Sequence, residues 1–424
     1  MASRILSLVC RECGTETPVT ATHVCDLCFG PLDVKYDYAE IARRASRAAI
    51  EQGPPSMWRY ADLLPVDLDG PDDEGPVTLG EGFTPLVHAR NLGEALGLRH
   101  LYLKNDTMNP TNSFKDRVVS VAVSWARRHG HSTMACASTG NLANAVAAYA
   151  ARAAMRGVVF IPADLEAGKV APTAVFCPTM VRVDGSYDDV NRLCSELVDL
   201  LDWAFCNINV RPFYSEGSKT LTYECAEQLG WRLPDEIIVP VASGCQFVKH
   251  HRAARELVAL GLVEGTVSGA RGPVLTGAQA LGCAPVATAF ARGDDHIVPV
   301  KPDTIAKSIA IGNPSDGGYV VRIARDTGGV VEAVTEEEIL EGIELLARSE
   351  GIFTETAGGV TVAVLARLAR ARRWQADETV VAYITGHGLK TAAYLEGRTA
   401  LAEPIPPTVR AFRERFGEAA AAVR

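Results

Sequence analysis

Short apolar runs alternate along most of this chain with longer, helix-like stretches. Runs at 101–104, 133–137, 157–162, 180–183, 203–207, 236–241, 274–278 and 379–384 read as strands. Helical stretches stand between several of them: 118–125, an Ala-rich run from 141, segments from about 168 and 188, and 337–370 with an interruption at 351–359. Strand followed by helix, repeated, is a βαβ rhythm and predicts parallel sheets in an α/β fold. A helix is expected at 38–52, followed by a Pro-, Asp- and Gly-rich linker to about 75. The mixed aromatic and basic stretch 57–65 reads as a packing arm. A Pro-rich tail from 402 leads into an Arg/Glu/Ala helix, and there are no internal repeats.

Composition narrows the partners more than the fold. A chain of 424 residues suggests two or three domains. The net charge of −9 argues against a nucleic acid or an anionic membrane as partner. No apolar run approaches the ~20 residues needed to span a bilayer. The apolar part of the N-terminus is too short for a signal peptide, so a cytoplasmic protein is expected. Eleven cysteines fall into two sets. Seven are scattered singly, as reduced core cysteines are.

The other four form two C-x-x-C knuckles, Cys10/Cys13 and Cys25/Cys28, each followed by a glycine (Gly14, Gly30). Two such knuckles present four thiolates to one tetrahedral Zn²⁺. The apolar content here is too small for a core, so metal would supply the stability. Four thiolates close the coordination shell, which makes the site structural, not catalytic. A paired thiol switch is the rival reading.

Nine of the 42 basic residues are lysines, so arginine carries most of the positive charge. Against that background Lys115 is informative. It lies in Asn109-Pro110-Thr111-Asn112-Ser113-Phe114-Lys115-Asp116-Arg117, after a turn and before an apolar helix-like run. A helix N-terminus lowers an amine pKa and attracts anions. An amine, unlike a guanidinium, can lose its proton when buried. Lys115 therefore suits a Schiff base with pyridoxal phosphate. The alternative is an ordinary first-turn lysine paired with Asp116.

Three further strand ends offer polar turns. Ser138-Thr139-Gly140-Asn141 precedes the Ala-rich helix and reads as a carboxylate or phosphate cradle, with simple N-capping by Ser138 or Thr139 as the alternative. Ala242-Ser243-Gly244-Cys245-Gln246 lets main-chain N–H groups surround a phosphate. Thr385 sits at the carboxyl end of the last strand, where open α/β sheets bind ligands. His387 beyond it is a candidate base, with turn-capping the favoured reading. Gly80 and Gly82 permit close backbone approach. Glu216-Gly217-Ser218-Lys219-Thr220 echoes a P-loop ending but lacks the upstream glycine, so nucleotide binding is rejected there.

Taken in order, these motifs resemble the threonine synthase family, pyridoxal-phosphate enzymes of the tryptophan-synthase-β fold, or fold type II. The resemblance covers nearly the whole chain. It rests on Gly80–Leu86, Asn109–Arg117, Ala137–Asn141, Glu216–Thr220, Ile311–Pro314, Glu350–Ala357 and Thr385–Lys390. It implies two three-layer α/β/α domains, one of 35–97 with 216–424 and one of 98–215, beside a zinc ribbon at 1–34. It implies that Lys115 carries the aldimine and moves protons, and that Phe114 flanks the cofactor. Asn141 would bond the phenolic oxygen, Ala242 to Gln246 the phosphate, and Thr385 the pyridine nitrogen. Ser138 and Thr139 would hold the substrate carboxylate or neighbouring groups. Lys104, Arg117 and Lys219 are candidates for the substrate phosphate by charge alone.

The implied reaction converts O-phosphohomoserine and water to threonine and phosphate, in an enzyme that is often a dimer in this family. A neutral Thr385 at the pyridine nitrogen favours elimination over build-up of a long-lived carbanion. Asn112 departs from the glycine of many members. The loop at 242–246 departs from the Gly-Asn-x-Gly-Asn form of others. The rival readings are a β-replacing enzyme acting on O-phosphoserine, a threonine/serine dehydratase, and a catalytically dead binding protein.

Overall fold

A computed structural model describes residues 4–68, 75–138, 140–163, 167–176, 178–185, 187–264, 272–398 and 403–417. The chain opens with three antiparallel strands, β1 (Ile5–Cys10), β2 (Glu16–Thr17) and β3 (Leu32–Tyr36), ordered β2-β1-β3. Helices α1 (Tyr38–Arg44) and α2 (Arg47–Glu51) then replace the single helix expected over 38–52. Ser46 is the reason. Its backbone is extended and its hydroxyl accepts from Ala49 N at 3.2 Å, so it starts a second helix instead of continuing the first.

The next elements are β4 (Leu86–His88), α3 (Arg90–Leu96), β5 (His100–Asn105), α4 (Lys115–Arg128), β6 (Thr133–Ala137), α5 (Asn141–Arg152), β7 (Arg156–Pro162), α6 (Ala167–Ala174), β8 (Thr179–Val183), α7 (Tyr187–Leu197) and β9 (Ala204–Phe205). The remainder comprises α8 (Arg211–Glu216), α9 (Lys219–Gln228), β10 (Glu236–Pro240), α10 (Cys245–Ala259), β11 (Val274–Ala280), α11 (Pro285–Arg292), α12 (Gly317–Thr327), β12 (Val331–Val334), α13 (Glu336–Glu350), α14 (Thr356–Arg370), β13 (Thr379–Ile384) and α15 (Val409–Phe416).

Two larger sheets organise these elements. One has six strands in the order β12-β11-β10-β13-β5-β4, all parallel except the antiparallel edge strand β4. The other has four parallel strands, β8-β7-β6-β9. The segment expected to form the smaller domain, 98–215, feeds both: β5 pairs with β13 in the larger sheet, and the smaller sheet starts at β6. Every residue of β6 and β10 is buried, as strands covered on both faces require. The chain divides into two compact units, Met1–Lys390 and Thr391–Arg424. The second contains α15, capped by the Thr408 hydroxyl. No described helix is long and apolar enough to cross a membrane.

Helix ends follow local chemistry. Thr335 and Glu338 form a reciprocal capping box at the start of α13, and Gly351 ends that helix in the left-handed region at φ 68°. The carboxyl ends of β6, β10 and β13 lead directly into Ser138, the 241–244 turn and Thr385. That is the edge of a parallel sheet where ligands bind.

Candidate active site

Lys115 is the first residue of α4. The turn before it is stitched from both sides. The Asp116 carboxylate accepts from Thr111 N at 2.7 Å and from Thr111 Oγ1 at 2.6 Å. Phe114 N donates to Thr385 O at 2.9 Å, and His387 N donates to Asn112 O at 3.0 Å. The lysine loop and the turn after β13 thus hold one another. Asn112 has φ 61°, in the left-handed region that glycine and asparagine adopt most readily. Its departure from the family's glycine therefore preserves the backbone shape.

The Lys115 side chain is partly buried, and Nζ donates to the Tyr214 hydroxyl at 3.0 Å. The Phe114 ring centroid is 4.6 Å from the same nitrogen. Burial pushes the ammonium pKa down, against the pull of Cys245, Cys206 and Glu355 nearby. Asp116 is not its partner, because both carboxylate oxygens serve Thr111. Burial pushes the Asp116 carboxyl up to about 7 despite those bonds.

The turn between β10 and α10 has the form of an anion cup. Gly244 adopts φ 91° and precedes a fifteen-residue helix that has no side-chain cap. The first N–H groups of such a helix point outward with the positive end of its dipole. Ser243 Oγ accepts from Cys245 N at 3.5 Å. Gln246 Nε2 is buried and has no hydrogen-bond partner among the described residues. Free main-chain donors and an unsatisfied amide fit a phosphate, and Ala242, half-buried at the start of the turn, adds little bulk. Cys245 lies near Lys115, and burial holds its thiol protonated.

Asn141, the first residue of α5, donates to both oxygens of Glu355 at 2.9 and 3.1 Å. Glu355 is buried at the N-cap position of α14, and burial pushes its carboxyl up. Thr385 is buried at the end of β13. Ser138 Oγ accepts from Gly140 N at 3.3 Å, as a helix-start hydroxyl does. Thr139 lies outside the described residues. His387 Nδ1 accepts from Leu389 N at 3.1 Å, a turn-capping role. The lysine loop is thus tied to Thr385 through Phe114 N, and Asn141 is tied to the same turn through Glu355, whose N–H donates to Gly386 O at 2.9 Å. These polar groups fit pyridoxal phosphate.

The three cations nominated by charge stand elsewhere. Lys104, Arg117 and Lys219 are fully buried. Arg117 Nε meets Asp106 at 2.7 Å and its Nη2 meets Glu224 at 2.8 Å. Lys104 meets the same Glu224 at 2.6 Å. Lys219 pairs with Glu216 at 2.6 Å and Glu256 at 3.0 Å. These cations offset buried carboxylates and have no face toward a substrate, so the expectation drawn from charge alone is corrected. Two residues given no role from sequence stand near the lysine instead, Tyr214 and Glu355, and a third, Lys390, stands near Glu355. Lys390 Nζ is buried without a hydrogen-bond partner among the described residues, within charge range of Glu355 and Asp116. Tyr214 had no motif to reveal it. Glu355 and Lys390 lay inside quoted motifs but carried no assigned chemistry.

At the N-terminus the four cysteine sulfurs lie within 4.8 Å of one another. Cys10–Cys28 and Cys13–Cys28 are 3.4 Å apart and Cys13–Cys25 3.7 Å. Zn–S bonds of ~2.3 Å in a tetrahedron place sulfurs ~3.8 Å apart, so the donor set fits that ion.

The model of the pyridoxal-phosphate dependent enzyme family matches residues 77–386. A threonine synthase from Methanosarcina acetivorans is 39% identical over 90% of this chain and 92% of its own. One from Methanocaldococcus jannaschii is 37% identical with the same coverage, and one from Mycobacterium tuberculosis is 36% identical over 84% of this chain and 94% of its own. Among solved structures, threonine deaminase isoform 2 from Solanum lycopersicum has a TM-score of 0.61 at 20% identity, covering 75% of this chain and 88% of that one. Maize serine racemase has a TM-score of 0.60 at 18% identity, covering 74% and 91%. These two share the fold. The chain belongs to the pyridoxal-phosphate-dependent enzymes, within the threonine synthase family.

Proposed function

We propose that this chain converts O-phospho-L-homoserine and water to L-threonine and phosphate, with pyridoxal phosphate held at Lys115. The observation that carries the reading is a lysine at the first position of a helix, with no carboxylate hydrogen-bonded to it among the described residues, in a chain related to threonine synthases over nine-tenths of its length. Bound pyridoxal phosphate supplies a carbonyl that condenses with amines and a conjugated ring that takes up the electron pair released at the substrate Cα.

Lys115 and Asn141 would hold the cofactor's reactive edge, Thr385 its ring nitrogen, and Ala242 to Gln246 its phosphate. Phe114 flanks the ring. Ser138 and Thr139 take the substrate carboxylate. The lowered pKa of Lys115 makes its neutral amine accessible, so it can take the Cα proton and then a Cβ proton. The bond from Cγ to the phosphate oxygen breaks as the second proton leaves. Lys115 returns protons to Cγ and Cα while water adds at Cβ. Atoms balance: one water enters and one phosphate departs. Burial keeps the Tyr214 phenol protonated, so its hydroxyl stays a hydrogen-bonding partner for the amine throughout.

The four-cysteine ribbon belongs to the same reading as a structural Zn²⁺ site with a closed shell. The reading also carries a cytoplasmic homodimer, checked by light scattering of the purified protein. The test of function is phosphate release with identification of the amino-acid product. O-Phosphohomoserine is compared with O-phosphoserine, the latter with and without sulfite or sulfide.

A further inference from the structure

The two residues between Cys10 and Cys13 both reach out of the ribbon. Arg11 donates to Asp33 at 2.7 and 2.8 Å and, with its other terminal nitrogen, to Asp316 Oδ1 at 2.8 Å. Glu12 accepts from the Tyr319 hydroxyl. The Arg11 guanidinium also lies 5.3 Å from the Tyr319 ring centroid. One knuckle of the cysteine cluster therefore grips the start of α12 twice.

Asp316 is the N-cap residue of α12 and is fully buried. Its own N–H donates to Ser243 O at 2.9 Å, inside the turn that precedes α10. Gly244 packs directly on it: a Cβ added there would lie 3.0 Å from Asp316 Cβ and 2.8 Å from Val320. The second carboxylate oxygen of Asp316 is held by Arg211, the first residue of α8, which also donates to Ser315 Oγ at 2.8 Å. Three residues along α8, Tyr214 meets Lys115. One buried carboxylate thus joins the cysteine knuckle, the anion cup and the helix that touches the lysine.

We propose that the metal ribbon is a positioning element for the cofactor's phosphate, acting through Arg11 and Asp316. Metal fixes the Cys10–Cys13 turn, and the turn fixes Arg11. Arg11 and Arg211 together hold Asp316, and Asp316 holds the Ser243–Gly244 turn in its cupped form. Removing either the metal or Arg11 leaves a buried carboxylate short of a partner, which the loop relieves by shifting. The inference rests on the zinc and pyridoxal-phosphate readings above.

The experiment titrates pyridoxal phosphate into cofactor-depleted full-length protein. Tryptophan quenching and cofactor absorbance follow binding, metal content is assayed in parallel, and near-UV circular dichroism reports the fold. Wild type and Arg11→Gln are each measured metal-loaded and after a strong zinc chelator. Chelation of wild type, and Arg11→Gln with full metal, are each expected to raise the Kd for pyridoxal phosphate on the order of 5- to 150-fold. Chelating Arg11→Gln is expected to add little, because the Arg11–Asp316 link to the cup is already cut and the remaining Glu12–Tyr319 bond does not reach Asp316. A general loss of stability would instead add the two effects. A metal-loaded Arg11→Gln protein that binds pyridoxal phosphate as tightly as wild type overturns the inference, even if chelation unfolds the wild type. So does a chelated, folded wild type with unchanged Kd. Purified protein without metal, or wild type that takes up no cofactor, overturns it through its premises, and the parallel metal and binding assays tell these failures apart.

Discussion

Lys115 stands out by what it does not contact. Its neighbour Asp116 is committed to Thr111, so the amine faces a phenol and an aromatic ring. Replacing it with alanine removes both the attachment point and the proton carrier. Lys115→Ala is expected to lower turnover by about 10³-fold or more, measured as phosphate release. Arginine at this position is expected to fail equally, since it keeps its proton. Asn112 makes a contrasting prediction. Its φ of 61° suits asparagine or glycine. Asn112→Gly is therefore expected to keep stability within about 1 kcal/mol, while Asn112→Val loses about 1–2 kcal/mol or more in chemical denaturation. The lysine and its turn were legible in sequence because their chemistry is local, a nine-residue stretch with its own punctuation. Tyr214 was not legible, because its relation to Lys115 spans 99 positions.

Helices α4 and α9 are joined by charge as well as by packing. Arg117 on α4 and Glu224 on α9 are both fully buried, with Lys104 on β5 sharing the carboxylate. Burial alone would raise the Glu224 carboxyl, but Arg117 and Lys104 bring it down to about 2. An unfolded glutamate titrates near ~4.3. The stabilisation is thus complete above that pH and fades as pH falls toward 2. The urea midpoint of unfolding is expected to drop across that window. Glu224→Gln leaves the buried Lys104 without a carboxylate and Arg117 with Asp106 alone, and at neutral pH it is expected to lose roughly 3–5 kcal/mol. It should also respond less to acid in the same window. Sequence indicated that Lys104, Arg117 and Lys219 mattered but misplaced their role, because charge says nothing about burial and their partners lie on other elements. Most strands and helices were legible from periodicity. Helix α12 was not: it starts at Gly317-Gly318, which disfavours helix locally, and tertiary contacts around Asp316 set it.

At the scale of the molecule, three strand ends and one helix start come together from separate parts of the sequence, and the ribbon packs against the same core. Leu8, Val34 and Tyr36 of the ribbon belong to one buried cluster with Val118, Trp125 and Phe213. Stripping the metal is therefore expected to lower the melting temperature of the whole Met1–Lys390 unit, not only of its first residues; scanning calorimetry with and without chelator checks this. The α/β class and the family were legible because motif order persists along the chain. The division into domains was less so, because β5 is contiguous with the segment of the smaller sheet yet pairs in the larger one. The central claim concerns the reaction, and product analysis tests it most directly. Incubated with O-phosphohomoserine, the protein is predicted to release phosphate and threonine in equal amounts, with no turnover of O-phosphoserine. Turnover of O-phosphoserine alone would contradict the account, and would point first to the 242–246 turn and Asn112 as the places where the site had been misread.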